Sequence, residues 1–179
     1  MTRSSGSFLI HLNVMDALQH IITAVVLFVT GLFGSPIQPS PEIAVTSEYA
    51  EVVEVIDGDT IVVDIEGKKE FVRYIGVDTP ETTRDGKEEE CFAAEATKAN
   101  TQLVARRQVR LESDTDDRDK YNRLLRYVYA DEVFVNRELV EEGYATVLTI
   151  PPNTEYAQEF KMLETKAKEG RVGMWGVCE

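Results

Sequence analysis

The chain has 179 residues, 43% of them hydrophobic, which is enough to bury one sizeable core but not two. Its net charge is −13, and after residue 50 there are 18 Lys and Arg against 29 Asp and Glu, a balance of −11. That balance counts against a passive binder of polyanions, whose affinity comes from cations that displace counterions; it counts less against a metal-dependent enzyme, in which a bound cation and a few arginines reverse the local field.

Residues 1–20 carry Arg3, Asp16 and both histidines, His11 and His20. No charge occurs from Ile21 to Phe33, and the apolar stretch extends back to Ala17. It is long for a signal-peptide core and slightly short for a membrane span of about 20 residues. Leu32-Phe33-Gly34-Ser35 is a poor cleavage site, so an uncleaved N-terminal anchor is favoured over a cleaved signal, and either places the rest outside the cytoplasm. Ser35 to Ser47, with Pro36, Pro39 and Pro41, reads as a semi-extended tether. The expected organisation is an anchor or signal over 1–34, a linker over 35–48 and one folded domain over 49–179.

Glu51 to Ile56 and Thr60 to Glu66 are rich in Val and Ile and read as strands, with Asp57-Gly58 bending the chain between them. Phe71 to Val77 is apolar on both faces and reads as one central strand covered on both sides. Arg73 lies on the face of Phe71, Ile75 and Val77, and a buried Arg needs an anion. After a loop with Gly86 and Glu88-Glu89-Glu90, the spacing of Phe92, Ala96, Ala99 and Leu103 predicts an amphipathic helix over Cys91 to Arg106. Gln108 to Ser113 alternates as a half-exposed strand, Asp114 to Asn122 is a charged loop, and Arg123 to Ala130 is another strand. Asn136 is expected to cap a short helix that stops at Gly143. Pro151-Pro152-Asn153 starts a last helix with Tyr156, Phe160, Leu163 and Ala167 in one stripe, ended by Gly170. These elements predict an α+β fold, a five-stranded OB-type β-barrel with three α-helices, preceded by an N-terminal hydrophobic helix and the Pro-rich tether.

Both histidines precede the tether, so the domain has none for acid–base work or zinc, and its two cysteines cannot form a structural zinc site alone. There is no G-x-S-x-G elbow and no Walker-type loop. What remains is carboxylate, arginine, lysine, tyrosine and metal. Asp59, Asp78 and Glu81 stand at the ends of short predicted strands, where folding can gather them around one hard cation. Asp59 and Asp78 with the backbone carbonyl of Thr79 would make an oxygen-only site suited to Ca²⁺ or Mg²⁺, and an irregular site completed by waters favours Ca²⁺.

Three segments carry a resemblance. Asp57-Gly58-Asp59-Thr60, then Arg73 with Asp78-Thr79-Pro80-Glu81, then Asp119-Lys120-Tyr121-Asn122-Arg123 occur in order at compatible spacing. In this the chain resembles the staphylococcal nuclease (thermonuclease) family, over roughly Tyr49 to Cys178. The resemblance implies a Ca²⁺-dependent nuclease that hydrolyses phosphodiesters in DNA, with RNA open as a second substrate, and leaves 3′-phosphate ends. It implies metal on Asp59, Asp78 and Thr79, a phosphate clamped by Arg73 and Arg123, water activated by Glu81, and substrate contacts from Lys120 and Tyr121. Plainer readings stand beside these: Asp59 and Asp78 as turn residues, Arg73 paired with Asp78 or Glu81, Arg123 paired with the Asp114 to Asp119 loop, Glu81 as a surface carboxylate and Tyr121 as a half-buried loop aromatic. The alternative from another class is a catalytically silent OB-fold binding module, although none of Asp59, Arg73, Asp78, Glu81 and Arg123 is lost. A Ca²⁺ protein acting on a non-nucleic phosphodiester is a further rival.

The chain departs from the family in four ways. Asn122 replaces a Gly, Thr149 and Pro151 stand where two tyrosines flank the bound base, and the loop after Glu81 is acidic rather than basic. Tyr144 or Tyr156 is the candidate to replace the missing stacking. In an oxidising compartment Cys91 and Cys178 read as a disulfide, with two free thiols as the alternative. The expected partners are a nucleic acid and, if the leader is uncleaved, a membrane; the expected state is a monomer.

Overall fold

A computed structural model describes residues 47–83, 86 and 88–178. The hydrophobic leader and all of the linker before Ser47 lie outside the described residues. Five strands form the barrel: β1 (Ser47–Val55), β2 (Thr60–Ile65), β3 (Lys68–Tyr74), β5 (Gln108–Glu112) and β6 (Leu124–Ala130). They run in the order β3-β2-β1-β5-β6 through antiparallel neighbours, and β3 closes the ring by pairing parallel with β6 from Val72↔Leu124 to Tyr74↔Arg126. Two short strands, β4 (Gly76–Asp78) and β8 (Thr146–Leu148), pair with each other, and β7 (Val133–Phe134) hooks onto β6. Three helices, α1 (Ala93–Val104), α2 (Val135–Glu141) and α3 (Ala157–Gly170), complete the α+β fold, followed by the single turn α4 (Met174–Val177). Among the described residues no helix is long and apolar enough to cross a membrane.

Strand alternation builds the core. Val52, Val63, Val72, Val109, Leu111 and Val128 point inward, and Leu139 and Val140 of α2 with Phe160 and Leu163 of α3 join the same buried cluster. Cys91 and Cys178 are joined by a disulfide between residues 87 apart, which ties the approach to α1 to the end of the chain. Closing so long a loop stabilises by about 2–5 kcal/mol.

Four elements differ from the sequence expectation. The apolar run Phe71 to Val77 is not one strand: it breaks after Tyr74, where Gly76 takes φ 80. The kink explains why Phe71 is 52% exposed while Val72, Tyr74 and Val77 are buried. It also frees carbonyls that a continuous strand would pair, and side chains take them up. Arg73 Nη1 donates to Tyr74 O (3.1 Å) and Val77 O (2.7 Å), and Asn136 Nδ2 donates to Ile75 O (2.9 Å).

Asn136 is therefore no helix cap. It lies within α2, wholly buried, and its Oδ1 also accepts from Val128 N at 2.9 Å, so that it fastens the kink to β6. The stripe of α1 is rotated from the expected one. Phe92 precedes the helix at φ 73 and stacks on Tyr144, and the buried face is Ala93, Ala96, Ala99, Asn100 and Val104. The last helix begins at Ala157 rather than at the prolines, because Ile150 and Asn153 close a turn around a cis Pro151–Pro152 bond; its buried stripe is Phe160, Leu163, Glu164 and Ala167.

Gly76 tests the kink. A Cβ there would lie 2.8 Å from Phe160 Cε2 in a backbone that side chains disfavour, so Gly76→Ala is expected to destabilise by about 3 kcal/mol. Urea titration should show a lower midpoint at unchanged slope.

Candidate active site

The Asp57 to Thr60 turn is shaped by its own short bonds. Ile56 N–H and Asp57 N–H donate to Thr60 O at 3.0 and 3.3 Å, and Asp59 N–H donates to Asp57 Oδ1 at 3.2 Å. Gly58 is required by contact, since a Cβ there would stand 2.6 Å from Thr79 Oγ1. Thr79, just past β4, donates its N–H (2.9 Å) and hydroxyl (3.2 Å) to Asp59 Oδ2, while Thr60 Oγ1 donates to Asp59 Oδ1 at 3.0 Å. The two acidic segments, 20 residues apart in sequence, thus meet through one carboxylate. Burial pushes the Asp59 carboxyl up to about 6; Arg73 opposes this shift and Asp57 adds to it.

Arg73 lies between the two aspartates. Its Nη1 is 3.1 Å from Asp59 Oδ2 and its Nη2 2.6 Å from Asp78 Oδ1. Asp59 is almost wholly buried, whereas the Asp78 side chain is half exposed. Glu81, two residues past Thr79, is exposed, and its N–H and C=O bond to Glu90 Oε2 and Glu90 N at 3.0 Å each, which closes the base of the acidic loop.

Two carboxylates that converge on one cationic group, with one of them half open to water, suit a hard divalent cation. Among the described residues no group of three or more His, Cys, Asp or Glu side chains is placed to hold a metal. A metal here would rely on the two carboxylates, a backbone carbonyl and water, and this donor set fits Ca²⁺ better than Zn²⁺.

Arg73 also lines a cleft of about 480 Å³ together with Lys120, Tyr121 and Arg123. Asp119 organises that second arm: its Oδ1 accepts from Tyr121 N and Arg123 N at 2.9 Å, and its Oδ2 takes Arg123 Nε–H at 2.7 Å. Asn122 takes φ 66, the left-handed conformation that Asn tolerates in place of Gly. Tyr121 is 69% exposed rather than half-buried. The facing wall is aliphatic, from Leu148, Ile150 and Pro151. Neither candidate tyrosine replaces the missing pair: Tyr144 stacks on Phe92, and Tyr156 packs among Tyr127, Phe134 and Phe160.

Sequence reading missed Asn153, whose carboxamide accepts from Asp116 N (2.7 Å) and donates to Asp116 O (3.0 Å), linking the two walls of the cleft. The signal for it was an Asn after two prolines. It also missed an ion-pair chain behind the Arg123 arm. Arg118 Nη1 donates to Asn122 O and to Glu70 Oε2, each at 2.9 Å, Lys68 pairs with the same Glu70, and buried Arg126 holds Asp117 at 2.8 Å.

Arg118 and Lys68 hold the Glu70 carboxyl down to about 2. A carboxylate lowered in the folded state stabilises above its ordinary pKa and loses that contribution as pH falls toward the lowered value. Glu70→Gln is therefore expected to cost about 1 kcal/mol at pH 7, allowing for screening by solvent. The difference from the parent should shrink between pH 4.5 and 2 in thermal melts at graded pH.

Comparison with known proteins adds a family. The sequence model described as "Staphylococcal nuclease homologue" matches residues 71–177, which takes in Arg73 to Arg123 but not the Asp57 to Thr60 turn. Endonuclease YncB of Bacillus subtilis (strain 168) is 44% identical over 122 residues, 67% of this chain and 58% of that protein. SPbeta prophage-derived endonuclease YokF of the same strain is 42% identical over 122 residues, covering 67% of this chain and 41% of the other. The thermonuclease of Staphylococcus hyicus is 35% identical over 125 residues, 70% of this chain and 74% of its own length. The chain thus spans less than two thirds of the two Bacillus relatives.

Proposed function

We propose, from the premise that the chain belongs to the staphylococcal nuclease family, that it is a Ca²⁺-dependent nuclease that hydrolyses DNA to 3′-phosphate ends, with RNA as a second polymer to be tested. One observation carries the reading: Arg73 faces a cleft shared with Arg123, Lys120 and Tyr121 while paired to both Asp59 and Asp78.

In this reading Asp59, Asp78 and the Thr79 carbonyl would hold Ca²⁺, which would supply positive charge to stabilise the phosphate as it is attacked. Arg73 and Arg123 clamp the phosphate. Planar guanidinium groups bond two oxygens at once, and charge that builds on those oxygens during in-line attack strengthens the contact. Glu81 is close enough in sequence to Thr79 to serve the same site and exposed enough to meet water, and it takes the proton or orients the attacking water. The water oxygen bonds to phosphorus, the bond to the 5′ oxygen breaks, and that oxygen leaves with a proton. Lys120 and Tyr121 lie along the strand's path. The aliphatic wall opposite grips a base less firmly than aromatic stacking, which is worth about 1–3 kcal/mol per base.

We also propose that the domain works outside the cytoplasm, tethered by its leader or secreted after cleavage. The Cys91–Cys178 disulfide supports this, because such bonds persist in oxidising compartments.

The test is cleavage of denatured DNA by the full chain with Ca²⁺, with Mg²⁺ and with chelator. Calcium-dependent cutting is expected, with terminal 3′-phosphates by end-group analysis. Arg73→Ala and Glu81→Ala should each lower kcat by about 10²-fold or more. A folded protein that binds Ca²⁺ and DNA but cuts at no salt concentration would be a binding module instead.

A further inference from the structure

Helix α1 carries one buried polar residue on its core face. Asn100 is 0% exposed, and its Nδ2 donates to Asp57 O at 2.8 Å while its Oδ1 accepts from the hydroxyl of Tyr74 at 2.8 Å. The orientation of the carboxamide follows from chemistry, because a backbone carbonyl only accepts and must meet the NH₂ group. That leaves Oδ1 for the phenol, which burial keeps protonated and therefore a donor.

Tyr74 grips the same turn a second time, donating its own N–H to Asp59 O at 3.0 Å. The Asp57 to Asp59 backbone is thus held from beneath at two carbonyls, one directly from β3 and one through α1. Apolar packing would satisfy an ordinary helix face. A buried carboxamide that spends both its ends on a turn and on the residue beside Arg73 does something packing does not: it sets the height and tilt of the Asp57-Gly58-Asp59 backbone.

We infer that Asn100 is a positioning residue for the proposed metal-binding turn, acting through Asp57 O, and that Tyr74 in turn orients the Asn100 carboxamide. This rests on the nuclease reading for its consequence, not for its geometry. Groups that orient metal ligands from behind typically change metal affinity or activity by about 10–100-fold when removed.

The experiment compares the full chain with Asn100→Leu, Tyr74→Phe, the double variant, and Val140→Ala, a core truncation in α2 as a control for lost stability. Three quantities are read: the Ca²⁺ dissociation constant by calorimetry, kcat and KM on denatured DNA, and exchange of the Asp59 and Thr79 amides in metal-free protein. Asn100→Leu is expected to weaken Ca²⁺ binding by about 10-fold or more, lower kcat more than it raises KM, and speed exchange at both amides. Tyr74→Phe should do the same to a smaller degree. In the double variant, which removes the stranded hydroxyl, part of the melting temperature should return while Ca²⁺ affinity does not. Val140→Ala should lower the melting temperature and leave Ca²⁺ affinity at the parent value.

Parent-like Ca²⁺ affinity and amide exchange in Asn100→Leu would overturn the inference, as would an equal loss of affinity in Val140→Ala. If Asn100→Leu does not fold, Tyr74→Phe decides by the same readouts. If the parent neither binds Ca²⁺ nor cuts DNA, the nuclease reading falls. Amide exchange in metal-free protein then still decides the positioning: faster exchange sustains it and unchanged exchange ends it.

Discussion

A guanidinium group with four partners holds this site together. Arg73 satisfies two carbonyls of the kink between β3 and β4, Tyr74 O and Val77 O, and pairs with carboxylates from two separate segments, Asp59 and Asp78. Each contact depends on the others. Without the kink at Gly76 the two carbonyls would pair with a neighbouring strand and Asp78 would project elsewhere. Without the Asp57 to Thr60 turn the guanidinium would face one anion rather than two. Asp59 is almost wholly buried, so removing Arg73 would leave that carboxylate unpaired in low dielectric, whereas half-exposed Asp78 could still be solvated.

The same cluster reconciles the acidic chain with the polyanionic substrate proposed for it. A chain with a net charge of −13 does not favour long-range attraction of a polyanion. Local charge decides instead. Arg73, Lys120 and Arg123 face one cleft, and the carboxylates that balance Arg73 are the proposed seat of a divalent cation. In the proposed mechanism Asp59 and Asp78 would hold the cation and Arg73, which also lines the cleft, would bind the phosphate, so the two charges would act on one substrate group. The aliphatic wall of Leu148, Ile150 and Pro151 offers contact without hydrogen-bond readout, which suits a substrate recognised by its backbone more than by its bases.

Behind the site, polar side chains do work usually left to packing. Asn136 and Asn100 are both 0% exposed and both end on backbone carbonyls near Arg73, Ile75 O and Asp57 O. The Arg118 to Glu70 chain moors the turn that carries Tyr121 and Arg123 to β3. The two arms of the cleft are thereby tied to the same strand, and their spacing follows the barrel.

The sequence by itself determined the five-stranded barrel, its three longer helices and the order of the acidic and basic segments, because alternation, helical spacing and turn residues are local signals; the short strands β4, β7 and β8 were not read from it. It placed the strand at Thr60 and the stripe of the last helix well, since both are strongly periodic. It did not reveal the break at Gly76, because an apolar run reads the same whether continuous or kinked, and the need for a residue without a side chain there comes from Phe160 of another element. It mistook Asn136 for a cap and passed over Asn100 because propensity treats a helix Asn as an end or an exposed residue; only long-range backbone carbonyls, 61 residues away for Asn136 and 43 for Asn100, make a buried carboxamide favourable. The motif residues were legible one by one. That a single arginine would stand between both aspartates required the tertiary structure, because ion pairs form between segments that sequence spacing does not bring together.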